Sequence, residues 1–447
     1  MSANLSNDPN ITFKRKSFAL ALVILVVLPP LFIYYKNSSD TKTVNLNRPA
    51  LKTWFHRFKK SDANSIDNIV QTKNGYLVLG DTSPTDHNSF VKGLDLDGKE
   101  LWNRVLQSNV NFTNPQCLEL DTTYLVSYRT TSFGGVSGFN LRIDKQTLRI
   151  VDRSPEVFRT IAPSTKGYIA SNDRNKMFSY DKEGLLLWEK TYRHGDFFTG
   201  LISSGVRLNI PKDKIIKVLK SGSVRYKTSR GRILKVIRVE ENNFFVLGFA
   251  RLSGALRGSP WFFKIDSSGV VLWEETLQNP NPYPNDAVLT KDGGYLVLLN
   301  EKIKKQIHFK KYDKNGVLLW TKIYRNKRSG AWHMAQTGDG KYMVTGATAA
   351  TMWLLKIDQD AQLLWQKKRR SEIGDYPSTI ISTLDGGVLI GGHAAKEGDR
   401  VEMISRGRVI SKFIYLEEGA WLLKLDADGE GSDENFKLET AQEWKEI

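Results

Sequence analysis

The phrase Asp-x-x-Gly-x-x-Leu-Trp recurs along this 447-residue chain and constrains its fold more than any other feature. It reads Asp95…Gly98…Leu101-Trp102, then Asp181…Gly184…Leu187-Trp188, Asp266…Gly269…Leu272-Trp273 and Asp313…Gly316…Leu319-Trp320. A further copy, Asp358…Leu364-Trp365, has Ala361 in the glycine place. A phrase returning at intervals of roughly 40–50 residues marks a propeller or a solenoid. Each box follows a run such as Gly75-Tyr76-Leu77-Val78-Leu79-Gly80 or Gly294-Tyr295-Leu296-Val297-Leu298. Such β-branched and aromatic runs, bounded by Gly, Asp and Asn, read as strands. Before them come short alternating segments closed by turn residues, as in Ile69-Val70-Gln71-Thr72 followed by Lys73-Asn74-Gly75. One unit is therefore four strands. The box glycine falls in the turn between the third and fourth, where a positive φ is expected. The tryptophan is expected to pack between neighbouring sheets. Radially stacked units of this kind make an all-β protein, a β-propeller of four-stranded blades.

The number of blades depends on two decayed units. Asp144, Thr147 and Val151 stand in the box places of one. In the other, Lys220-Ser221-Gly222-Ser223-Val224-Arg225-Tyr226 lies over Ser267…Trp273, with Tyr226 in the tryptophan place. Reading both as blades favours eight. Seven is the alternative, with 197–232 as an insertion. The last unit has Asp426 and Gly429 but no Leu-Trp. Leu51-Lys52-Thr53-Trp54-Phe55-His56 resembles a fourth strand, so an N-terminal strand is expected to complete the last blade and remove its open edge. Residues near Trp54 should then touch residues near Trp421. The propeller domain spans 51–430, and 431–447 reads as a C-terminal tail.

Phe18 to Tyr35 is an uncharged apolar run of about the length that crosses a bilayer as one helix. Lys14, Arg15 and Lys16 precede it, so residues 1–17 are expected to stay cytoplasmic and the rest to face outward. No small-residue cleavage site follows the run, which favours an uncleaved transmembrane anchor over 18–35 with a linker over 36–50. The expected location is a bacterial inner membrane, with a single pass and the propeller in the periplasm. The single cysteine, Cys117, allows no intramolecular disulfide and no lipid anchor near the N-terminus.

The net charge of +17 is concentrated in two places. Residues 1–60 carry ten Lys or Arg against two Asp, and residues 212–238 carry ten against one. The first cluster is topology signal and linker. The second is a candidate surface for an anionic glycan, lipid headgroups or an acidic partner, with Lys217, Lys220, Arg225, Lys227, Arg230 and Arg232 as its residues. A charge run is most often only a solvated face. The predicted compartment argues against nucleic acid. Further basic residues stand at blade junctions: Arg325, Lys327 and Arg328, and Lys367-Lys368-Arg369-Arg370. The longest connection, His393 to Gly419, is about 27 residues, far beyond an ordinary hairpin turn. It is expected either to form its own hairpin or to lie over the face, and it is the preferred partner-binding loop through Arg400, Arg406, Arg408, Lys412, Phe413 and Tyr415.

No catalytic or metal-binding motif stands out. The six histidines fall in no ligand spacing, and there is no Gly-x-Ser-x-Gly elbow or phosphate-binding glycine loop. The box aspartates recur once per unit, as turn residues do. The Asp-x-x-Gly-x-x-x-Trp rhythm resembles the tryptophan repeat of quinoprotein-like propellers found in bacterial exported proteins. The enzymes of that group imply a quinone, a calcium ion and usually a vicinal disulfide, which one cysteine cannot form. Its non-enzymatic branch implies scaffolds. The expected function is a membrane-anchored binding or scaffold module for a protein partner or an anionic envelope polymer, with no cofactor. The alternative is an exported propeller enzyme acting on glycans or using a quinone.

Overall fold

The computed structural model describes residues 52–446, apart from 60, 83–87, 107–111, 133–134, 173–174, 193–196, 202–206, 212–230, 251–258, 278–281, 326–329, 349–350, 370–373, 406–407, 432–437 and 443. The expected cytoplasmic tail, transmembrane segment and linker lie outside these residues. None of the described segments is a helix long and apolar enough to cross a membrane.

The described chain is an all-β propeller of seven four-stranded blades. Blade 1 is Ser65–Thr72, Gly75–Asp81, Ser89–Asp95 and Glu100–Leu106; blade 2 is Phe112–Glu119, Thr123–Ser132, Gly135–Asp144 and Ile150–Ser154. Blade 3 is Thr160–Pro163, Gly167–Ser171, Lys176–Asp181 and Leu186–Thr191; blade 4 is Gly231–Arg238, Phe244–Ala250, Ser259–Ile265 and Val271–Thr276. Blade 5 is Pro282–Leu289, Tyr295–Glu301, Gln306–Tyr312 and Leu318–Arg325; blade 6 is Gly330–Gln336, Tyr342–Thr348, Thr351–Ile357 and Leu363–Arg369. Blade 7 is Gly374–Ser382, Val388–Ser405 and Arg408–Leu425, with Trp54–Arg57 as its outer strand. That closure is the one expected: Trp54 pairs with Lys424 and Arg57 with Trp421.

The favoured count of eight blades is corrected to seven. The inner strands of blades 3 and 4 touch directly, and Val236 N donates to Thr160 Oγ1 at 3.3 Å. No sheet can stand between them. The described part of 197–232 is a two-stranded hairpin, Phe197–Leu201 with Arg207–Pro211, and the strand Gly231–Arg238 belongs to blade 4. The apolar core agrees, because it divides into seven clusters, one for each interface between neighbouring blades. The second and third strands are buried on both faces, as in Tyr295–Glu301, which explains their unbroken apolar runs. Outer strands such as Glu100–Leu106 are exposed on one face and alternate.

The box is a turn and a lock at once. Asp313 Oδ1 accepts from the backbone N–H of Asn315 at 2.9 Å and Val317 at 2.8 Å, and Asp95, Asp266, Asp358 and Asp426 make the same pair of bonds. These side chains replace the hydrogen bonds that the reversing backbone loses. Gly316 has φ 83°, and the ring of Trp273 from the preceding blade lies 2.5 Å from where its Cβ would be. Trp365 meets Gly429 in the same way, and Trp188 meets Gly269. The tryptophan of one box therefore covers the glycine of the next. Where Val151 replaces the tryptophan, Arg142 closes over Gly184 instead and donates to Lys182 O at 3.1 Å.

Candidate functional site

The antiparallel order of each blade sends its connections to two faces. The turns between strands one and two and between strands three and four, including every box, emerge on one face. The connections between strands two and three, and from blade to blade, emerge on the other. The segment 192–230 joins blade 3 to blade 4 and so begins and ends on this second face, as does the long connection of blade 7.

That connection is a hairpin, one of the two forms expected. Its strands, Val388–Ser405 and Arg408–Leu425, are 18 residues each, whereas no other strand of the propeller exceeds the 10 of Thr123–Ser132 and Gly135–Asp144. The inner strand of the blade stops pairing at Gly374 opposite Ala395, and the outer strand at Arg57 opposite Trp421. From Lys396 opposite Leu416 to Ser405 opposite Arg408 the two strands pair only with each other. At ~3.3 Å per residue this arm extends roughly 30 Å past the blade. Register shifts at Ala394/Ala395 and Glu397/Arg400 mark bulges at its root, which bend and twist a ribbon. Arg400 stands opposite Phe413, Lys412 opposite Val401, Tyr415 opposite Glu397 and Arg408 opposite Ser405; Arg406 lies outside the described residues.

The basic cluster is only partly described. Arg232 pairs with Phe249 at the start of blade 4, whereas Lys217, Lys220, Arg225, Lys227 and Arg230 lie outside the described residues. Arg369, from the run after Trp365, has a structural use: it is buried 2.8 Å from Asp375 and lies over the Phe55 ring at 5.4 Å, tying blade 6 to blade 7.

The inner strands form a closed ring around the axis. Each places a polar residue at the equivalent level: Asn68, Gln116, Thr160, Lys235, Asp286, His333 and Thr379. In every blade but the third, a register shift directly precedes it. Three of these residues bring charge together across three blades. Lys235 Nζ is 2.5 Å from Asp286 Oδ1, and His333 Nδ1 is 3.9 Å from Asp286 Oδ2, too far for a hydrogen bond. Asp286 is only 4% exposed and also accepts from Ala287 N at 2.8 Å and Met334 N at 2.9 Å. Desolvation lowers the pKa of His333, and Lys235 adds to the effect against the opposing pull of Asp286. The Asp286 oxygens thus accept from a lysine and two backbone donors, an arrangement that stitches neighbouring blades together. The polar ring was legible as one polar position in each alternating inner strand, but its common level was not.

The other described histidines pack. His393 stacks on Tyr376 at 5.2 Å, His56 lies 4.4 Å from Phe58, and His308 is held by the buried Glu301 at 3.2 Å. Among the described residues, no three His, Cys, Asp or Glu side chains converge on a metal-sized site. On the box face, a cavity of about 240 Å³ lies between blades 3 and 4, lined by Lys166, Ser179, Trp188, Asn242 and Ser268.

No known family's sequence profile and no curated protein matches the chain. Solved structures do resemble it. BamB from Moraxella catarrhalis is 11% identical, over 83% of this chain and 98% of that one, with a TM-score of 0.44. A protein from Lactobacillus plantarum is 14% identical, over 77% and 97%, with a TM-score of 0.46. A quinoprotein alcohol dehydrogenase-like protein from Bacteroides thetaiotaomicron is 13% identical, over 68% and 65%, with a TM-score of 0.39. At these values the likeness carries neither a role nor a site to this chain.

Proposed function

We propose that this protein is a non-enzymatic binding module that engages a protein partner through the face bearing the blade 7 arm. The arm carries the proposal. A ribbon that pairs only with itself contributes nothing to ring closure, yet the chain devotes about twenty residues to it. An extended ribbon with backbone edges free on both sides suits strand-to-strand recognition. Loops raised on a rigid scaffold are where recognition is usually built. The basic insertion 192–230 starts and ends on the same face, so an acidic partner surface is the natural complement.

The use of Asp286 as a shared acceptor for Lys235 and two backbone N–H groups, a structural role, supports the non-enzymatic reading over action on glycans or with a quinone. The apolar run 18–35, with Lys14, Arg15 and Lys16 before it, supports a single-pass anchor that holds the propeller on the outer side of a bacterial inner membrane. Crosslinking in intact envelopes, followed by mass spectrometry, tests the reading. Wild type is compared with a variant in which 396–418 is replaced by a short turn. The wild-type chain should yield a defined partner that the variant loses. An identical set of crosslinked proteins in both would remove the arm from consideration.

A further inference from the structure

The last residues of the chain dock on blades that are already complete. Leu438–Thr440 pairs antiparallel with the outer strand of blade 6, Lys368 opposite Glu439 and Arg369 opposite Leu438. Lys445–Glu446 pairs with the outer strand of blade 5, Tyr324 opposite Glu446 and Arg325 opposite Lys445. Between them Trp444 enters the seam between the two blades. It is 3% exposed, its ring 5.0 Å from that of Trp353, in a cluster that includes Tyr324 and Leu355.

Gln366 reads the backbone of this segment in both directions. Its Nε2 donates to Trp444 O and its Oε1 accepts from Trp444 N, each at 2.8 Å. Its own carbonyl accepts from Ala441 N at 2.9 Å. Lys322 Nζ lies 2.6 Å from Glu446. A side-chain amide paired with a main-chain amide recognises any residue by its backbone, whereas the seam selects the indole. An edge ladder, a pocket for one anchor and a charge at the end are the parts of strand-addition peptide recognition. Blades 1 to 4 and blade 7 have four strands and no fifth among the described residues, so the added strands are guests and not part of the ring. The net charges are complementary as well: the segment carries Glu439, Glu443 and Glu446 against Lys445, and on the host strands Lys322 pairs with Glu446 while Lys368 stands opposite Glu439.

We infer that the seam between the outer edges of blades 5 and 6 is a binding site for an extended acidic peptide with a tryptophan anchor, occupied in cis by residues 438–446. The inference does not rest on the arm or on its partner. It is tested on the full chain with a specific protease sequence inserted between 432 and 437. After cleavage, the segment should leave on gel filtration, and a labelled synthetic peptide of residues 436–447 should bind saturably in its place. The uncleaved chain should not bind that peptide. A peptide with Trp444→Ala should bind at least tenfold more weakly, which is about 1.4 kcal/mol. The Gln366→Ala chain should lose affinity for the unaltered peptide. If the cleaved segment never exchanges under excess peptide, it is an integral strand and the inference fails. It fails equally if the segment leaves, the ring stays folded and the peptide does not rebind.

Discussion

Trp54 locks the first blade to the last by covering Gly98. Its indole Nε1 donates to Leu96 O at 3.3 Å, and a Cβ on Gly98 would come within 2.8 Å of its ring. Gly98 itself has φ 81°. Trp54 precedes the other blade strands in sequence but fills the tryptophan place that the last box lacks, so the ring closes by pairing Trp54 with Lys424 from the other end of the propeller.

Trp54→Ala should therefore open the seam between blades 7 and 1 and lower stability by about 2–3 kcal/mol, somewhat under the cost of emptying a fully buried tryptophan site. Gly98→Ala meets both a left-handed backbone and the indole, and should cost about as much. Ala361→Gly, at a box where φ 56° already carries a side chain, should change stability by no more than about 1 kcal/mol. Leu101→Ala, at 60% exposure, should be close to neutral. Denaturant midpoints give the order. A Gly98→Ala midpoint equal to that of Ala361→Gly would refute the lock.

The repeat disclosed the strand order, the box turn and the closure, because each depends on local residue types: Asp for the turn, Gly for the backbone, Trp for the seam. The blade count was misleading for a physical reason. Asp95 to Asp181 spans 86 residues and encloses blade 2, while Asp181 to Asp266 spans 85 and encloses an insertion. Equal spacing hid unlike contents, and only the contact of Thr160 with Val236 distinguishes them. Trp444 was missed for the opposite reason. It belongs to no repeat and pairs with strands about eighty and one hundred and twenty residues earlier, as Gln366 and Lys322 show. The arm residues were legible as an overlong connection, and their pairing was not.

Asp286 provides a test of stitch against catalyst. Asp286→Ala leaves the Lys235 ammonium and the Met334 and Ala287 N–H groups without their shared acceptor. Loss of about 3 kcal/mol is expected, from orphaned donors and a broken ion pair. Residues kept for catalysis more commonly show neutral or gained stability on removal. An unchanged calorimetric midpoint would count against the structural assignment.

Acid should loosen the box face through carboxylates paired with buried lysines. Lys311, Lys356 and Lys424 reach Asp292, Asp339 and Asp385 at 2.6, 2.8 and 2.9 Å. Burial raises each carboxyl, but the lysine and threonine hydrogen bonds outweigh it and lower all three, Asp292 to about 2. A folded pKa below the unfolded one gives stability that is complete above the unfolded value and lost as pH falls through the folded value. Urea midpoints should therefore be level above about pH 5 and fall between about pH 4 and pH 2. Lys311→Met should make that fall shallower. An identical pH profile in the variant would deny Lys311 its part.

Removing the arm should leave the ring intact. Beyond Ala395 and Gly419 its strands pair only with each other. A two-residue Asn-Gly turn can replace 397–415 without disturbing the register at the root, where Lys396 stands opposite Leu416, because that dipeptide supplies the twist a tight hairpin needs. Shortening the connection also lowers the entropy lost on closing it, a small stabilising term. The thermal midpoint of the shortened chain should lie within about 3 °C of the parent, the shift expected for roughly 1 kcal/mol in a large domain. A fall several times larger would mean that the arm folds back onto the ring and stabilises it, and a self-supporting recognition ribbon would then no longer describe it.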